Sequence, residues 1–430
     1  MKKHEEVKNM KKLKIGVMLL ALLLAAMAMV PMVSAAENMK PSDAMPANPV
    51  MVDISKIIIP HLQINDSQPR VVVDYQFDVS EEITASALAA QLATTSRPSL
   101  NNIPYGSIIY HSKEGITRVF DQNGKQIFSA IDKESPMVFT PGGIEKPATF
   151  ISSVPNGAFV NHKGNITYVN DKNGNLILTV INEYQDNGSG KTGASDTDKS
   201  TAQTTISPMT ATYWQGWVED AHATVNQITQ FDAYWNVPTK PPAMELGKVV
   251  FLFNGITTPD QTLGILQPVL AFYPEINGQN WYGEAWAYCD PTNPYGHDVV
   301  GQNIQVLPGD PVKGRILRTS DGISWYVEFD NLRNSQTSYA YSNVIPRTNN
   351  LKVTVALEAG QQAYTLNPLD NTDMPGRTEF SSMAYKYNGN PISGISLQNW
   401  YNANRPSGIT NLNVNILNNP GDVMLHTANG

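Results

Sequence analysis

Two side chains in the second half of the chain, an amide and a carboxylate, could together hydrolyse an amide bond. Gln267 interrupts the otherwise apolar run Gly264–Leu270, and Glu358 ends the β-like run Leu351–Glu358. A buried glutamine without hydrogen-bond partners costs about 1–3 kcal/mol, so an amide in this run needs a reason. A glutamate can activate water and return the proton to a leaving amine, and an amide NH2 can stabilise the oxyanion by roughly 3–4 kcal/mol. This chemistry would require neither a cofactor nor a metal ion.

The strands that would carry these residues have two faces, because side chains alternate along a β-strand. Glu358 falls on a face of smaller or polar residues, where a groove could lie. The opposite face of that run is apolar and consists of Leu351, Val353, Val355 and Leu357. Gln267 shares its face with Ile265 and Val269, so the pattern supports a site role for Glu358 better than for Gln267. The residues alone leave alternatives open, since a strand glutamate is usually solvated and a strand glutamine usually makes structural hydrogen bonds.

The composition is that of a globular protein, and it excludes some classes of partner. The 430 residues suffice for two or three domains, and 41% are hydrophobic while 16% are charged. A net charge of −8 argues against nucleic acid and anionic membrane surfaces as main partners. Cys289 is the single cysteine, which rules out an intrachain disulfide and a cysteine-based zinc site.

The N-terminus has the layout of a secretory signal peptide. Lysines precede an apolar run from Ile15 to Val33, and small residues follow at Ser34 and Ala35. We expect a signal peptide over residues 1–35 and secretion of the remainder. An uncleaved N-terminal anchor is the alternative, because the run could just span a bilayer. No other membrane insertion is predicted.

An internal repeat marks a first domain, which we place at residues 36–186. The two copies begin at Ile103 and Val154, and each contains a histidine, His111 or His162, and an Asp-x-Asn-Gly turn. Asn-Gly between alternating apolar residues indicates a β-hairpin. A calcium loop is the alternative, although the glycine and the closing acid stand at the wrong positions for an EF-hand. We expect a small β-rich domain in which the histidines are structural.

A second domain follows a linker. Gly, Ser, Asp and Thr dominate residues 187–207, which is typical of a flexible connection. Residues 208–430 hold all seven tryptophans and many short β-patterned runs separated by turns. This spacing predicts an all-β fold with an antiparallel β-sandwich. Four aromatic residues could line a substrate groove in it, or could simply form core: Trp214, Tyr282, Trp286 and Tyr288.

Several short motifs in this second domain resemble, in order and spacing, those of the glutamic peptidases, the eqolisins. They are Tyr213–Gly216, Ile228–Pro238, Phe253–Gly255, Ile265–Gln267, Ala285–Tyr288, Leu307–Asp310, Val355–Glu358 and Thr378–Phe380. The resemblance covers roughly residues 210–395 and implies a concanavalin-like sandwich with Gln267 and Glu358 as catalytic residues. It also implies a polypeptide substrate and a removable pro-region ahead of the linker.

The chain departs from the family's pattern at three positions. Pro268 follows the glutamine and predicts a strand edge or a bulge, because proline lacks a ladder donor. Tyr288 stands where the family has an acidic residue, and no tryptophan stands near Val250. The acidic pH optimum of the fungal enzymes is therefore not carried over.

Two other functional classes compete with a secreted endopeptidase. A retaining glucanase of this fold needs two carboxylates on one strand, but Arg333 takes the last acid's place in the nearest match, Glu328–Arg333. A non-catalytic binding or cell-surface module, with a carbohydrate or protein ligand, would need neither Gln267 nor Glu358. The sequence lacks Gly-x-Ser-x-Gly, His-Glu-x-x-His and P-loop motifs.

Overall fold

Strands make up almost all of the regular structure. The computed structural model describes residues 48–65, 103–184 and 214–430, apart from 136, 261–262, 275–279, 292, 294, 346–349, 363–364 and 366. Helical segments within these ranges are short 3-10 turns at Ile54–Lys56, Asp132–Glu134, Ala148–Phe150 and Asn371–Asp373. The predicted all-β fold is confirmed. Within the same ranges, no helix has the length and hydropathy needed to cross a membrane.

The strands are numbered in chain order. Those before the predicted linker are β1 (Ser107–His111), β2 (Ile116–Phe120), β3 (Gln126–Ile131), β4 (Met137–Thr140), β5 (Ile144–Pro147), β6 (Ile151–Val154), β7 (Ala158–Lys163), β8 (Ile166–Asn170) and β9 (Leu176–Asn182). The next are β10 (Trp214–Val225), β11 (Gln230–Asn236), β12 (Lys248–Thr257), β13 (Ile265–Tyr273), β14 (Asn280–Cys289), β15 (Asp298–Gly301), β16 (Ile304–Val306), β17 (Pro311–Arg318) and β18 (Trp325–Asn331). The last are β19 (Gln336–Ser342), β20 (Leu351–Gln361), β21 (Thr378–Tyr387), β22 (Asn390–Pro391), β23 (Gln398–Tyr401), β24 (Asn413–Asn418) and β25 (Asp422–His426).

Two large sheets pack face to face. The front sheet has the order β23-β10-β20-β12-β13-β14-β15-β6, with β16 on β14. The back sheet has the order β24-β25-β21-β11-β17-β18-β19-β7-β8-β9-β1-β2-β3, with β22 on β21. Strands β4 and β5 form a separate hairpin. Within the second predicted domain the pairings are antiparallel, as the sandwich prediction required.

The main core lies between the two sheets. Alternate residues of the front sheet, such as Leu252 and Leu266, meet Phe231 and Trp325 from the back sheet in one buried cluster. Each such side chain contributes roughly 1.5–3 kcal/mol when it is fully buried. The sheets approach so closely that a Cβ on Gly283 would lie 2.1 Å from the ring of Phe329. The apolar face predicted for Leu351–Glu358 belongs to this core.

Each copy of the repeat folds as a three-stranded meander, β1–β3 and β7–β9. Asp121 and Asp171 accept backbone N–H bonds from the two Asn-Gly turns at 2.8–3.0 Å. His111 and His162 occupy matching places, because each ring Nδ1 hydrogen-bonds a threonine hydroxyl of the next strand. These aspartates and histidines therefore hold the hairpins together.

The strands before the linker extend both sheets of the sandwich. Strand β7 pairs in parallel with β19, and β6 pairs in parallel with β15. The described residues before and after the linker accordingly belong to one compact unit. The signal peptide (1–35) and the linker (187–207) lie outside the described residues, so the domain boundaries drawn there stay predictions.

Candidate active site

Gln267 and Glu358 lie on one face of the front sheet, which we call the site face. Gln267 is on β13 and Glu358 on β20, and β12 runs between these strands. Both side chains point away from the core between the sheets, toward a second apolar cluster that includes Trp217 and Trp286. The alternation of Leu351–Glu358 thus predicted correctly that Glu358 points away from the main core, while the face it lies on is buried and not an open groove.

The tip of the β4–β5 hairpin covers both residues. Gln267 Nε2 donates a hydrogen bond to the carbonyl oxygen of Pro141. The backbone N–H of Gly142 donates to Glu358 Oε2 over 2.9 Å. The carbonyl of Pro141 and the N–H of Gly142 belong to the same peptide group, so the amide and the carboxylate hold one peptide group between them.

Burial changes the acidity of Glu358. Its side chain and that of Gln267 are fully buried. Desolvation raises the pKa of Glu358 to about 8, although the backbone N–H groups of Gly142 and Gly143 act in the opposite direction. Among the described residues, neither Glu358 Oε1 nor Gln267 Oε1 has a hydrogen-bond partner. The carboxyl is therefore protonated at neutral pH while the hairpin covers it.

Two of the predicted aromatic residues share the site face with Gln267. Trp286 on β14 is directly opposite Gln267 in the sheet register and is fully buried. Its Nε1–H donates to Glu284 over 3.0 Å, which fixes the indole ring. Tyr282 lies further along the same face, with its ring 6.1 Å from that of Tyr273.

The other two predicted aromatic residues lie elsewhere. Trp214 packs at the margin of the core between the sheets. Tyr288 is buried in the cluster that joins the repeat to the sandwich, with its ring 5.0 Å from that of His162. A register shift between Trp286 and Tyr288 separates their surroundings. A substrate-contacting role for these four aromatic residues stays a prediction.

Pro268 sits beside an irregularity of the sheet, as its missing donor predicted. The register between β13 and β14 shifts between Ile265 and Gln267. Strand β13 lies inside the sheet, flanked by β12 and β14, so of the two predicted possibilities the bulge is the correct one.

Several residues of the site were not singled out in the sequence. Pro141 and Gly142 supply the peptide group, and the thiol of Cys289 also donates to the Pro141 carbonyl at 2.7 Å. Trp217 is directly opposite Glu358 in the register and packs in the same cluster. Pro141-Gly142-Gly143 is a turn signal, but nothing in the sequence links it to Gln267 or Glu358.

A metal-dependent site is not formed by the residues described. Nowhere in those ranges do three His, Cys, Asp or Glu side chains gather as a metal ion would require. The site face presents the amide of Gln267 and the carboxyl of Glu358, with the thiol of Cys289 beside them.

Known proteins similar to this chain were found among solved structures. No protein-family model matches, and no curated protein matches. The chain is similar to scytalido-glutamic peptidase bound to a peptide-based transition-state analogue, at 17% identity over 50% of this chain and 100% of that chain, with a TM-score of 0.32. It is also similar to SCP-B, an eqolisin bound to the tripeptide Ala-Ile-His, at 14% identity over the same shares and a TM-score of 0.32. Peanut lectin matches 35% of this chain and 82% of its own at 12% identity, with a TM-score of 0.18.

Proposed function

We propose that this protein is a secreted endopeptidase-like hydrolase in which Gln267 and Glu358 act on a peptide bond. The observation that carries the proposal is the peptide group held between them, with its carbonyl on Gln267 Nε2 and its N–H on Glu358 Oε2. A site that binds both ends of a peptide group has the polarity that peptide hydrolysis needs. A polypeptide is therefore the substrate we infer.

Each residue has a distinct task in this reaction. Glu358 takes a proton from water, whose oxygen attacks the carbonyl carbon. The amide of Gln267 donates to the oxyanion that develops on the carbonyl oxygen, which contributes roughly 3–4 kcal/mol in other hydrolases. Glu358 then gives its proton to the leaving nitrogen as the C–N bond breaks.

The surroundings of Glu358 suit a group with two roles. A general acid–base works best with a pKa near the working pH, and burial raises the pKa of Glu358 to about 8 while the hairpin covers it. In this proposal Trp286, opposite Gln267, and Tyr282 contact substrate on the site face. We assign no catalytic step to Trp214 or Tyr288.

Secretion and processing complete the proposal. A signal peptide over residues 1–35 directs the chain out of the cytoplasm, and residues 36–186 act as a pro-region joined by the 187–207 linker. The coverage of Glu358 and Gln267 by the β4–β5 hairpin supports a form that is inactive as synthesised.

The test is digestion of a denatured protein substrate from about pH 2 to about pH 8. Wild type, Glu358→Gln and Gln267→Ala are compared, each intact and after cleavage in the linker with release of the N-terminal segment, with folding checked by circular dichroism. We expect Glu358→Gln to abolish cleavage and Gln267→Ala to lower kcat by about 10²–10³-fold. Activity that survives both substitutions would remove the pair as catalytic residues. A folded, uncovered site that is inactive throughout this range would favour the binding module instead.

A further inference from the structure

The turn at residues 140–143 lies directly against the site face. Residues 140–142 of the turn are buried and Gly143 is half-buried, and the glycines at 142 and 143 have φ angles of +129° and +92°. L-residues with side chains rarely adopt these conformations. A Cβ on Gly142 would lie 3.2 Å from Pro291 and 3.3 Å from the sulfur of Cys289. Only glycine therefore lets the chain approach the site face so closely.

Contacts outside the catalytic pair hold the hairpin in place. Gln215 on β10 donates to the carbonyls of Thr140 and Ile144, at 3.2 Å and 2.7 Å, on either side of the turn. Gln362 donates to the carbonyl of Met137 over 2.7 Å. Phe139 packs against Gly360, where a Cβ would lie 2.8 Å from its ring. The hairpin is thus fixed along its length as well as at its tip.

The turn also closes off the carboxyl of Glu358. Its Oε1, the oxygen that Gly142 does not contact, is buried and has no hydrogen-bond partner among the described residues, and Gly143 lies beside it, so that an added Cβ there would come within 3.4 Å. A nucleophilic water would have to reach this oxygen. The turn therefore presents a peptide group to the pair and keeps water away from the carboxyl at the same time.

We propose that the Thr140–Gly143 turn is an internal ligand of the site: it holds the Pro141–Gly142 peptide group where a substrate's scissile peptide group binds, and so keeps the intact chain inactive. The inhibitory half of this statement rests on the proposed function. The binding half rests on contacts alone and can be measured without any catalysis.

Cys289 provides that measurement. It is the single cysteine of the chain, it is fully buried, and its thiol donates to the Pro141 carbonyl. We expect withdrawal of the turn to uncover this thiol, because a Cβ on Gly142 would lie 3.3 Å from its sulfur. The rate at which a thiol reagent such as dithiobis(nitrobenzoate) modifies Cys289 in the native protein therefore reports how often the turn leaves the site face.

Two variants loosen the turn by different routes, and a third serves as the control. Gly142→Ala introduces a Cβ against Pro291 and Cys289, and Gln215→Ala removes the donor that holds both sides of the turn. Gly164→Ala adds the same methyl group at a glycine of the repeat that also has a positive φ angle, but there no atom lies within 4 Å of the added Cβ. We expect the first two to raise the labelling rate about tenfold and the control to leave it near the wild-type rate. Peptidase activity of the intact chain should rise together with labelling.

The outcomes separate the two proposals. Faster labelling with faster cleavage supports both. Faster labelling without cleavage supports the turn as the site's ligand and counts against the peptidase function. Labelling that stays at the wild-type rate in folded Gly142→Ala and Gln215→Ala, or that rises equally in Gly164→Ala, overturns the inference. Should Gly142→Ala fail to fold, Gln215→Ala is labelled with and without a synthetic peptide of residues 137–147. If the turn is a ligand of the site, the added peptide should bind the site face of this variant and slow the labelling of Cys289 again.

Discussion

Lys146 on β5 and Asp298 on β15 form a completely buried ion pair, with 2.6 Å between Nζ and Oδ1. Nζ also donates to the carbonyl of Gly296. The pair ties the end of the hairpin to the front sheet. Because a buried charge that loses its partner is strongly destabilising, we expect Lys146→Met to lower the free energy of unfolding by about 3–5 kcal/mol.

Urea unfolding of Lys146→Met beside wild type measures this loss. The exposed pair Lys56–Asp53 offers a matched control, with side chains 82% and 54% exposed. Lys56→Met should change the free energy of unfolding by less than about 0.5 kcal/mol. Equal effects at the two lysines would contradict the structural importance of the buried pair.

Acid should weaken the attachment of the repeat to the sandwich. His111 Nε2 and His297 Nδ1 are hydrogen-bonded at 2.9 Å. The other nitrogen of His297 hydrogen-bonds the hydroxyl of Ser152. The other nitrogen of His111 hydrogen-bonds Thr117, whose hydroxyl donates to Asp132. Burial and the charge of Lys146 lower the pKa of His297 to about 3, and burial lowers that of His111. The unfolded chain binds protons on these rings before the native chain does, so stability is lost as the pH falls from about 6.5 toward 3.

The contribution of His297 can be isolated with His297→Gln, which does not titrate in this range. The free energy of unfolding of wild type should fall more than that of the variant between about pH 7 and pH 4, by up to about 3 kcal/mol. The half-buried His426 at the end of β25 gives the control, His426→Gln. Parallel pH profiles for wild type and His297→Gln would show that this ring does not control acid sensitivity.

Glu358 should act in the opposite sense. Its pKa is about 8 in the folded chain, raised from 4.5 by burial. Between these values the unfolded chain has released the proton and the native chain still holds it, so stability falls as the pH rises from 4.5 to 8. Glu358→Gln removes this titration and should be more stable relative to wild type at pH 8 than at pH 5, by up to about 4 kcal/mol.

Urea midpoints of both proteins at the two pH values test this expectation. The exposed Glu379 on β21 serves as the control, because Glu379→Gln should shift both midpoints equally. A constant difference between Glu358→Gln and wild type would mean that Glu358 is ionised in the native chain. That result would also mean that the carboxyl of Glu358 is not protonated while the hairpin covers it.

Close approach of the two sheets gives a prediction about packing. A Cβ at Gly283 would lie 2.1 Å from the ring of Phe329, so Gly283→Ala must push the sheets apart or move the ring. We expect a loss of about 1–3 kcal/mol. Gly255→Ala on β12 is the matched control, since its nearest contacts are at 3.4 Å or more. Thermal or urea unfolding should show a larger loss of stability for Gly283→Ala than for Gly255→Ala. Equal stabilities of the two variants would show that the ring of Phe329 moves without cost.

The sequence predicted those features that depend on local pattern. Alternation placed Glu358 on the face opposite Leu351 and Leu357, the Asn-Gly turns gave the hairpins of the repeat, and Pro268 indicated the bulge. These follow from side-chain period and turn chemistry, which a short stretch contains completely.

What the sequence did not predict is long-range pairing. The turn at Pro141 meets Gln267 and Glu358 across 126 and 216 positions of the chain, and no local pattern records such a contact. The regular meander of the repeat predicts a domain of its own, and nothing in it indicates that β7 pairs with a strand of the sandwich. The parallel partner of β7, strand β19, follows the linker in the chain, and no residue of the repeat indicates this pairing. The burial that raises the pKa of Glu358 follows from these same distant contacts.

The two parallel pairings, β7 with β19 and β6 with β15, have a consequence for any removal of the N-terminal segment. Cutting the chain in the linker breaks one covalent bond and leaves both ladders intact, so the cut segment stays attached. Stripping it off would open two strand edges at once, each a row of unpaired N–H and C=O groups to which another chain can add. Strands β6 and β7, which follow the covering hairpin in the chain, therefore also protect the protein against aggregation.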